Sequence, residues 1–499
     1  MNPLDVKKVT VFLGMLIFLV PVLTFSGFWS RWIRQGLFLA LIWIPATSYV
    51  HTGCVAFSLH AAVRTDGGYN GWGQGVYLGL VDCVALALLG IVFLHRNSEP
   101  RVGLRIPGFW IWGLFVLFVS IGLLDAANKT YSLIAFMLLP KLTLHFLAMF
   151  FYLRKYREFR LAAIGLAAVA ATVGLVSLHQ RYIQGFNGCP GWMPHRNVNG
   201  TMGYLVGIPT FAFAIYRGMS AKWLVILVAC AGLGVIGCIL TISRAAYFCG
   251  IVGMASSAIL CLIFLKPDRT RSYMLLAAGA CGAVVIWMSS DTIMDRFSYE
   301  AERDKLSTVT DLRWVLNETA KVIYRDHQWT GVGIGNFALV ASAPWPKYSS
   351  VFANYYHARV PERYRRPVAN VPNVESVYFT YLPETGLPAT SFLVLWMVLL
   401  PFWGITNWWV LRRNEFGWTN LGIAITGGLV VWHATVERVV ATQVNAASIY
   451  ISLFAIVCAS RVDVRALRKN FKRTGREIEA ERDLPFDSAE RIYTKAESL

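Results

Sequence analysis

The sequence predicts an all-α polytopic membrane protein: a bundle of about 12–13 transmembrane helices carrying one long, partly helical loop. Three observations predict it. Of 499 residues, 56% are hydrophobic and only 15% charged, where a soluble domain carries nearer a quarter charged. The apolar residues come in successive blocks of about 17–24, enough helix to cross roughly 30 Å of hydrocarbon. Lys and Arg stand mostly between the blocks and in the tail, as membrane topology requires. That distribution, rather than nucleic-acid binding, accounts for the formal charge of +18. Mean hydropathy is +0.51.

In chain order the expected spans lie near 9–27, 34–50, 76–95, 108–124, 132–152, 159–178, 201–216, 222–241, 244–265, 272–290, 388–411, 420–440 and 446–459. The first block lacks a small-x-small cleavage site and reads as an anchor rather than a cleavable signal. The chain divides into an N-terminal transmembrane bundle (1–290), a loop domain (291–387), C-terminal transmembrane helices (388–460) and a charged tail (461–499). Most of the nine cysteines fall inside apolar blocks, where a thiol behaves as a small hydrophobe.

Charge sets the orientation. The tail opens with Arg461, Arg465, Arg468, Lys469, Lys472 and Arg473, so it is expected in the cytoplasm. Counting back, the basic loops at Arg412–Arg413, Lys266–Arg271, Arg217–Lys222, Arg154–Arg160 and His95–Arg105 all fall on that same side. The long loop then lies outside. Thirteen spans would put Lys7 and Lys8 outside as well; twelve, with both ends inside, remove the conflict.

Charges at a hydrocarbon boundary are costly, and they mark cavities or headgroup contacts. Arg244, in LTISRAAYFCG, sits in a tight turn between two apolar blocks. It either snorkels to a headgroup or points a planar fork, suited to phosphate, into an outward cavity. His433, Glu437 and Arg438 lie in VVWHATVERVVATQ. His433 and Glu437, at i and i+4, share a helix face, as a helix-locking network or as part of a site. His195 and Arg196 immediately precede a span and belong at the mouth of an outward cavity, while Arg181 reads as part of an ordinary interfacial loop.

The long loop has structure of its own. Leu312, Val315, Leu316, Val322 and Ile323 recur with helical period over Thr308–His327, with Arg313 off that face. GVGIG at Gly331–Gly335 lacks a strand-turn-helix context and reads as a sharp turn rather than a dinucleotide site. A basic, aromatic patch follows, with Tyr355, Tyr356, His357, Arg359 and Arg363. It is either a solvated face near headgroups or a surface for an anionic glycan or lipid phosphate. Glu384 suits the start of the helix expected at about Pro388. Glu375 has no such structural duty and is the better candidate for a general base. The sequence contains no HExxH, paired CxxC, Walker or GxSxG pattern.

Over about 195–390 the chain resembles the O-antigen ligase and O-antigen polymerase superfamily of bacterial membrane glycosyltransferases. The resemblance rests on HRNVNGTMGYLVGIP, the Ser-Arg turn TISRAAY, the loop helix DLRWVLNETAKVI, GVGIGNF and ESVYFTYLPETGLP, in that order. It implies a GT-C-like helical fold in the bacterial inner membrane, with the site at the periplasmic face. It also implies transfer of a glycan from undecaprenyl diphosphate to an acceptor hydroxyl, without metal, nucleotide sugar or other cofactor. The partners it implies are the lipid-linked donor, a glycan or lipid A-core acceptor, membrane lipids and a polysaccharide chain-length regulator.

In the family, arginines matching Arg244 and Arg313 hold the donor pyrophosphate, and a histidine near the end of the loop activates the acceptor. Members often show His-Asn about nine residues before the ETG glutamate; here those positions read Glu375-Ser376. A carboxylate can serve as that base, or His357 or His195 supplies it. The departure favours a polymerase over a ligase. The expected site is therefore Glu375, Arg244 and Arg313, with His195, Arg196, His357, Arg359, His433, Glu437 and Arg438 binding substrate. A lipid-linked-glycan flippase is the rival from another class, although pseudo-symmetric halves and charges at the bilayer midplane, expected of a transporter, are not apparent.

Overall fold

The structure, a computed structural model, describes residues 28–47, 56–57, 76–77, 79–94, 106–193, 195–216, 219–265, 269–288, 290, 294, 308–342, 345–359, 362, 374–437 and 444–471. Hydrocarbon offers no hydrogen-bond partner to a bare peptide group, so an apolar block is stable there as a helix that satisfies its own backbone. Helices accordingly follow the apolar blocks. They are α1 (Phe28–Trp43), α2 (Leu80–Leu94), α3 (Phe109–Gly122), α4 (Lys129–Phe136), α5 (Leu138–Tyr152), α6 (Tyr156–Tyr182), α7 (Arg196–Ala214), α8 (Ala221–Leu240), α9 (Arg244–Leu265) and α10 (Arg269–Met288). The loop contributes α11 (Thr308–Asp326), α12 (Phe337–Val340) and α13 (Pro346–Arg359); α14 (Val377–Leu411), α15 (Glu415–His433) and α16 (Val444–Phe471) complete the bundle. Two residue pairs, Ala56–Phe57 and Val76–Tyr77, bond antiparallel between α1 and α2.

Every expected span from the second onward has a helix. The first, near 9–27, lies outside the described residues. Six helical stretches among the described residues are long and apolar enough to cross a membrane: Lys129–Tyr152, Tyr156–Tyr182, Ala221–Leu240, Arg244–Leu265, Val377–Leu411 and Val444–Val462. The outward faces of α9 and α10 fit that reading, with Phe248, Ile259, Leu262, Ile263, Leu276 and Trp287 exposed. The protein is an all-α, multi-pass membrane protein.

Helix α7 is the hub: everything from Val198 to Ala214 is buried. Small residues let its neighbours close on it. A Cβ on Gly203 would lie 2.4 Å from the Gly234 carbonyl oxygen of α8, and one on Gly422 of α15 2.7 Å from Pro209 Cα. At the end of the bundle away from the loop, Asn407 donates to Asn420 (3.1 Å) and to the Val457 carbonyl (2.9 Å), and Asn420 donates to Ser460 (3.0 Å). This amide chain ties α14, α15 and α16 together.

The loop has a separate hydrophobic core of Val315, Leu316, Ala320, Ile323, Val332, Phe337, Val340, Tyr348 and Phe352. The periodic face expected of α11 supplies its centre, with Leu312 and Val322 at its edge.

One expectation is corrected in detail. Helix α14 starts at Val377, well before the span expected from 388, and breaks at Gly386 (φ 75°, ψ 176°). The run VYFTYLP forms helix because it is buried: Tyr381 packs on Phe115 of α3, with ring centroids 6.1 Å apart. Val377 and Tyr381 from before the break line the same apolar cavity as Leu393, Trp396 and Met397 from after it. A straight helix would separate Val377 from Met397 by about 30 Å. The first segment therefore folds back beside the second.

Candidate active site at the loop-side end of the bundle

The end of the bundle that meets the loop gathers most of the expected residues. Helices α7 and α9 both begin there, on Arg196 and Arg244. His195 caps α7: its Nδ1 accepts from the Asn197 N–H at 3.2 Å. Arg196 lies across the preceding loop. A Cβ on Gly188 would come within 3.2 Å of its Cδ and Nη1 and 3.5 Å of the Thr241 carbonyl oxygen, so glycine leaves the arginine its path beside the α8–α9 turn. That turn is tight, with Ile242 at φ 55°. One helical turn further in, Gly200 of α7 faces Ala246 of α9, where an added Cβ would lie 2.6 Å from the alanine's. Arg196 and Arg244 thus open adjacent helices, and Arg244 is exposed. Two helix N-termini carrying arginines make an electropositive floor.

Helix α15 ends beside this floor in a polar chain. Buried His433 meets the Tyr204 hydroxyl through Nδ1 (3.0 Å) and Glu437 through Nε2 (3.1 Å). Glu437 accepts from Asn197 at 2.8 Å, next in sequence to Arg196. The chain therefore locks α15 to α7 and also orients Glu437 toward the α7 N-terminus. It contains Tyr204 and Asn197, which sequence reasoning missed. Both stand in the HRNVNGTMGYLVGIP motif, but neither is a charged residue that the hydrocarbon boundary singles out. Arg438 lies outside the described residues.

The start of α14 comes to the same place. Its first N–H, on Val377, donates to the Ala434 carbonyl at 2.9 Å, and Ser376 Oγ donates to that carbonyl at 3.2 Å. Glu375 is thereby set beside the end of α15. Arg313 of α11 reaches down and forms an ion pair with it, Nη2 to Oε2. Both side chains are partly exposed, at 43% and 45%. Partial burial and the neighbouring Arg196 guanidinium hold the His195 imidazole below its usual range, against the pull of the Glu437 and Glu375 carboxylates. His195, Arg196, Glu437, Glu375 and Arg313 therefore share one electrostatic neighbourhood.

His357 and Arg359 are exposed in the last turn of α13. Arg359 reaches the α11 side, its guanidinium 5.5 Å from the centroid of Trp314, the residue after Arg313.

Glu384 has a different duty. Buried at the α14 break, it accepts N–H bonds from Gly335 (2.9 Å) and Phe337 (3.1 Å). Its own carbonyl accepts from Gly333, and that of Pro383 accepts from Val332, both at 2.9 Å. GVGIG is thus a turn laid along the break, with Gly331, Gly333 and Gly335 all at positive φ. Asn336, buried, secures it to α4 by donating to Ser132 Oγ (3.1 Å) and the Asn128 carbonyl (3.3 Å). Among the described residues no three His, Cys, Asp or Glu gather in a way that could hold a metal ion.

A helical bundle with a folded loop beside its arginine-bearing end defines a class: multi-pass membrane proteins with a candidate site between bundle and loop. Residues 225–394 match the family model described as O-Antigen ligase. That segment includes Arg244, Arg313, Glu375 and the Gly386 break, and the match supports a likeness to the O-antigen ligase and polymerase superfamily over that part of the chain. No curated protein gives a significant match.

Proposed function

We propose that the chain transfers a glycan from undecaprenyl diphosphate to an acceptor hydroxyl at the periplasmic face of the bacterial inner membrane, polymerising O-antigen or exopolysaccharide repeat units. The observation that carries this reading is the Arg313–Glu375 ion pair, a loop cation and a carboxylate in the same electrostatic neighbourhood as His195 and Arg196 at the start of α7. Arg244 and Arg313 hold the donor diphosphate and neutralise the charge that grows on it as it leaves, the electrostatic work that contributes most in a water-poor cleft. Arg196 and the two helix N-termini add to that field. Glu375 takes the proton from the acceptor hydroxyl. The hydroxyl oxygen attacks the anomeric carbon from the side opposite the diphosphate, and the sugar–phosphate C–O bond breaks with its electron pair leaving on phosphate. The product has inverted configuration.

The ion pair supplies the switch. A pair this exposed contributes only about 0–1 kcal/mol. An arriving diphosphate, with more charge and several acceptor oxygens, draws Arg313 onto itself and releases the Glu375 carboxylate for the acceptor. His433 and Glu437, with Arg438 beyond them, position the α15 end of the cleft, and His195 lines its mouth.

A ligase acting on lipid A-core is the second reading, favoured by the description of the matching family. Reconstitution with a lipid-linked repeat, with and without lipid A-core, separates the two. A ladder of products from the repeat alone supports the polymerase; product formed only when lipid A-core is added supports the ligase. No new glycosidic bond in either mixture overturns both and leaves a transporter. Retained anomeric configuration, read by NMR, contradicts the inverting step.

A further inference from the structure

The loop carries a feature that its own packing does not require. Trp314 is 40% exposed, although its neighbours Val315 and Leu316 on α11 turn inward to form the loop core. Its indole is nevertheless held. Tyr355 of α13 meets it edge-on, with centroids 5.6 Å apart and planes at 82°. The Arg359 guanidinium stands 5.5 Å from its centroid. A partly exposed indole, fixed in place with a cation over its ring, therefore lies one residue from the guanidinium that pairs with Glu375.

We propose that Trp314, Tyr355 and Arg359 form a binding platform for the acceptor, recognised as an acidic sugar ring. The C–H face of the sugar stacks on the exposed indole, and its carboxylate pairs with Arg359. The inference deepens the transferase reading and rests on it for the role of acceptor. Rigidity favours the assignment: a ring held by two neighbours loses little freedom when it binds. A membrane-inserting tryptophan would have apolar companions on its face. Trp314 instead stands between Arg313 and the polar Asn317 and Glu318 on the outer side of α11.

Isothermal titration of the purified full chain with tetragalacturonate and neutral maltotetraose tests the platform without turnover. The acidic oligosaccharide is expected to bind more tightly. W314A weakens both by about tenfold, the scale of one lost aromatic contact. R359Q weakens only the acidic one and brings it to the neutral value. In the reconstituted reaction, W314A raises the acceptor KM and leaves kcat close to wild type. The proposal is overturned if neither oligosaccharide binds, or if both variants bind both probes as wild type does. It is also overturned if W314A loses binding to phosphatidylglycerol vesicles while keeping oligosaccharide binding, which would make the patch a membrane contact. Oligosaccharide binding of the expected pattern in a chain that forms no glycosidic bond would sink the transferase reading and leave the platform standing.

Discussion

Glu384, 4% exposed, accepts backbone N–H bonds from Gly335 and Phe337, whereas Glu375 stands half in solvent against a guanidinium. The two carboxylates flank the same apolar run, and their substitutions separate accordingly. Glu384→Gln replaces an acceptor oxygen by an NH2 that faces a buried N–H, a loss of about 1–3 kcal/mol, seen as a lower Tm in detergent. Glu375→Gln leaves Tm near wild type and acts on rate. His195 yields a pH prediction. Because its folded-state pKa is lowered, the neutral cap is favoured above the ordinary value of 6.5. As pH falls below that, the unfolded cap gains a proton before the folded one does, and the α7 N-terminus loses stability. Asparagine caps helices without titrating. His195→Asn should therefore flatten the acidic limb of the activity profile between pH 7 and pH 5, whereas an unchanged limb would exonerate the histidine. The residue types were legible in the sequence, because a charge at a hydrocarbon boundary stands out. The partners were not: Tyr204 and Asn197 join His433 and Glu437 through side chains from distant helices.

Helix α14 and the GVGIG turn show what is gained at the scale of elements. Both motifs were visible, but as separate signals, a glycine turn and an ETG helix start. Their main chains bond to one another across the α14 break, and backbone pairing of this kind leaves no residue-type signature. The break has its own requirement. Gly386 sits at φ 75°, ψ 176°, a region essentially confined to glycine, and a Cβ there would lie 2.4 Å from the Trp329 carbonyl oxygen. Gly386→Ala should cost more than the roughly 1–3 kcal/mol of backbone strain alone. It should also reduce activity, because the same break lets the start of α14 fold back and carry Glu375 to the end of α15. A Gly386→Ala protein with wild-type Tm and wild-type rate would show that the fold-back is dispensable.

At the scale of the whole molecule, hydropathy blocks foretold the helices closely, since hydrocarbon leaves an apolar segment little choice but helix. They could not say which helix is central, because α7 opens with the polar RNVNGT and is less apolar than its neighbours, yet is buried along almost its whole length. Orientation rests on the basic loops. A cysteine placed at Ser350 on exposed α13 should react with an impermeant maleimide from the periplasmic side of intact spheroplasts, and one placed beyond Phe471 should not. The opposite pattern would invert the protein and move the proposed reaction to the cytoplasm.

The central claim is that Glu375, released from Arg313 by the donor diphosphate, performs the chemistry. Single-turnover transfer with purified wild type, Glu375→Gln and Arg313→Ala, measured beside donor binding, tests it most directly. Glu375→Gln should bind donor at least as tightly as wild type and transfer about 10²–10⁴-fold more slowly, the range for loss of a general base, while Arg313→Ala should weaken donor binding and transfer together. A Glu375→Gln protein that transfers glycan at the wild-type rate would contradict the account.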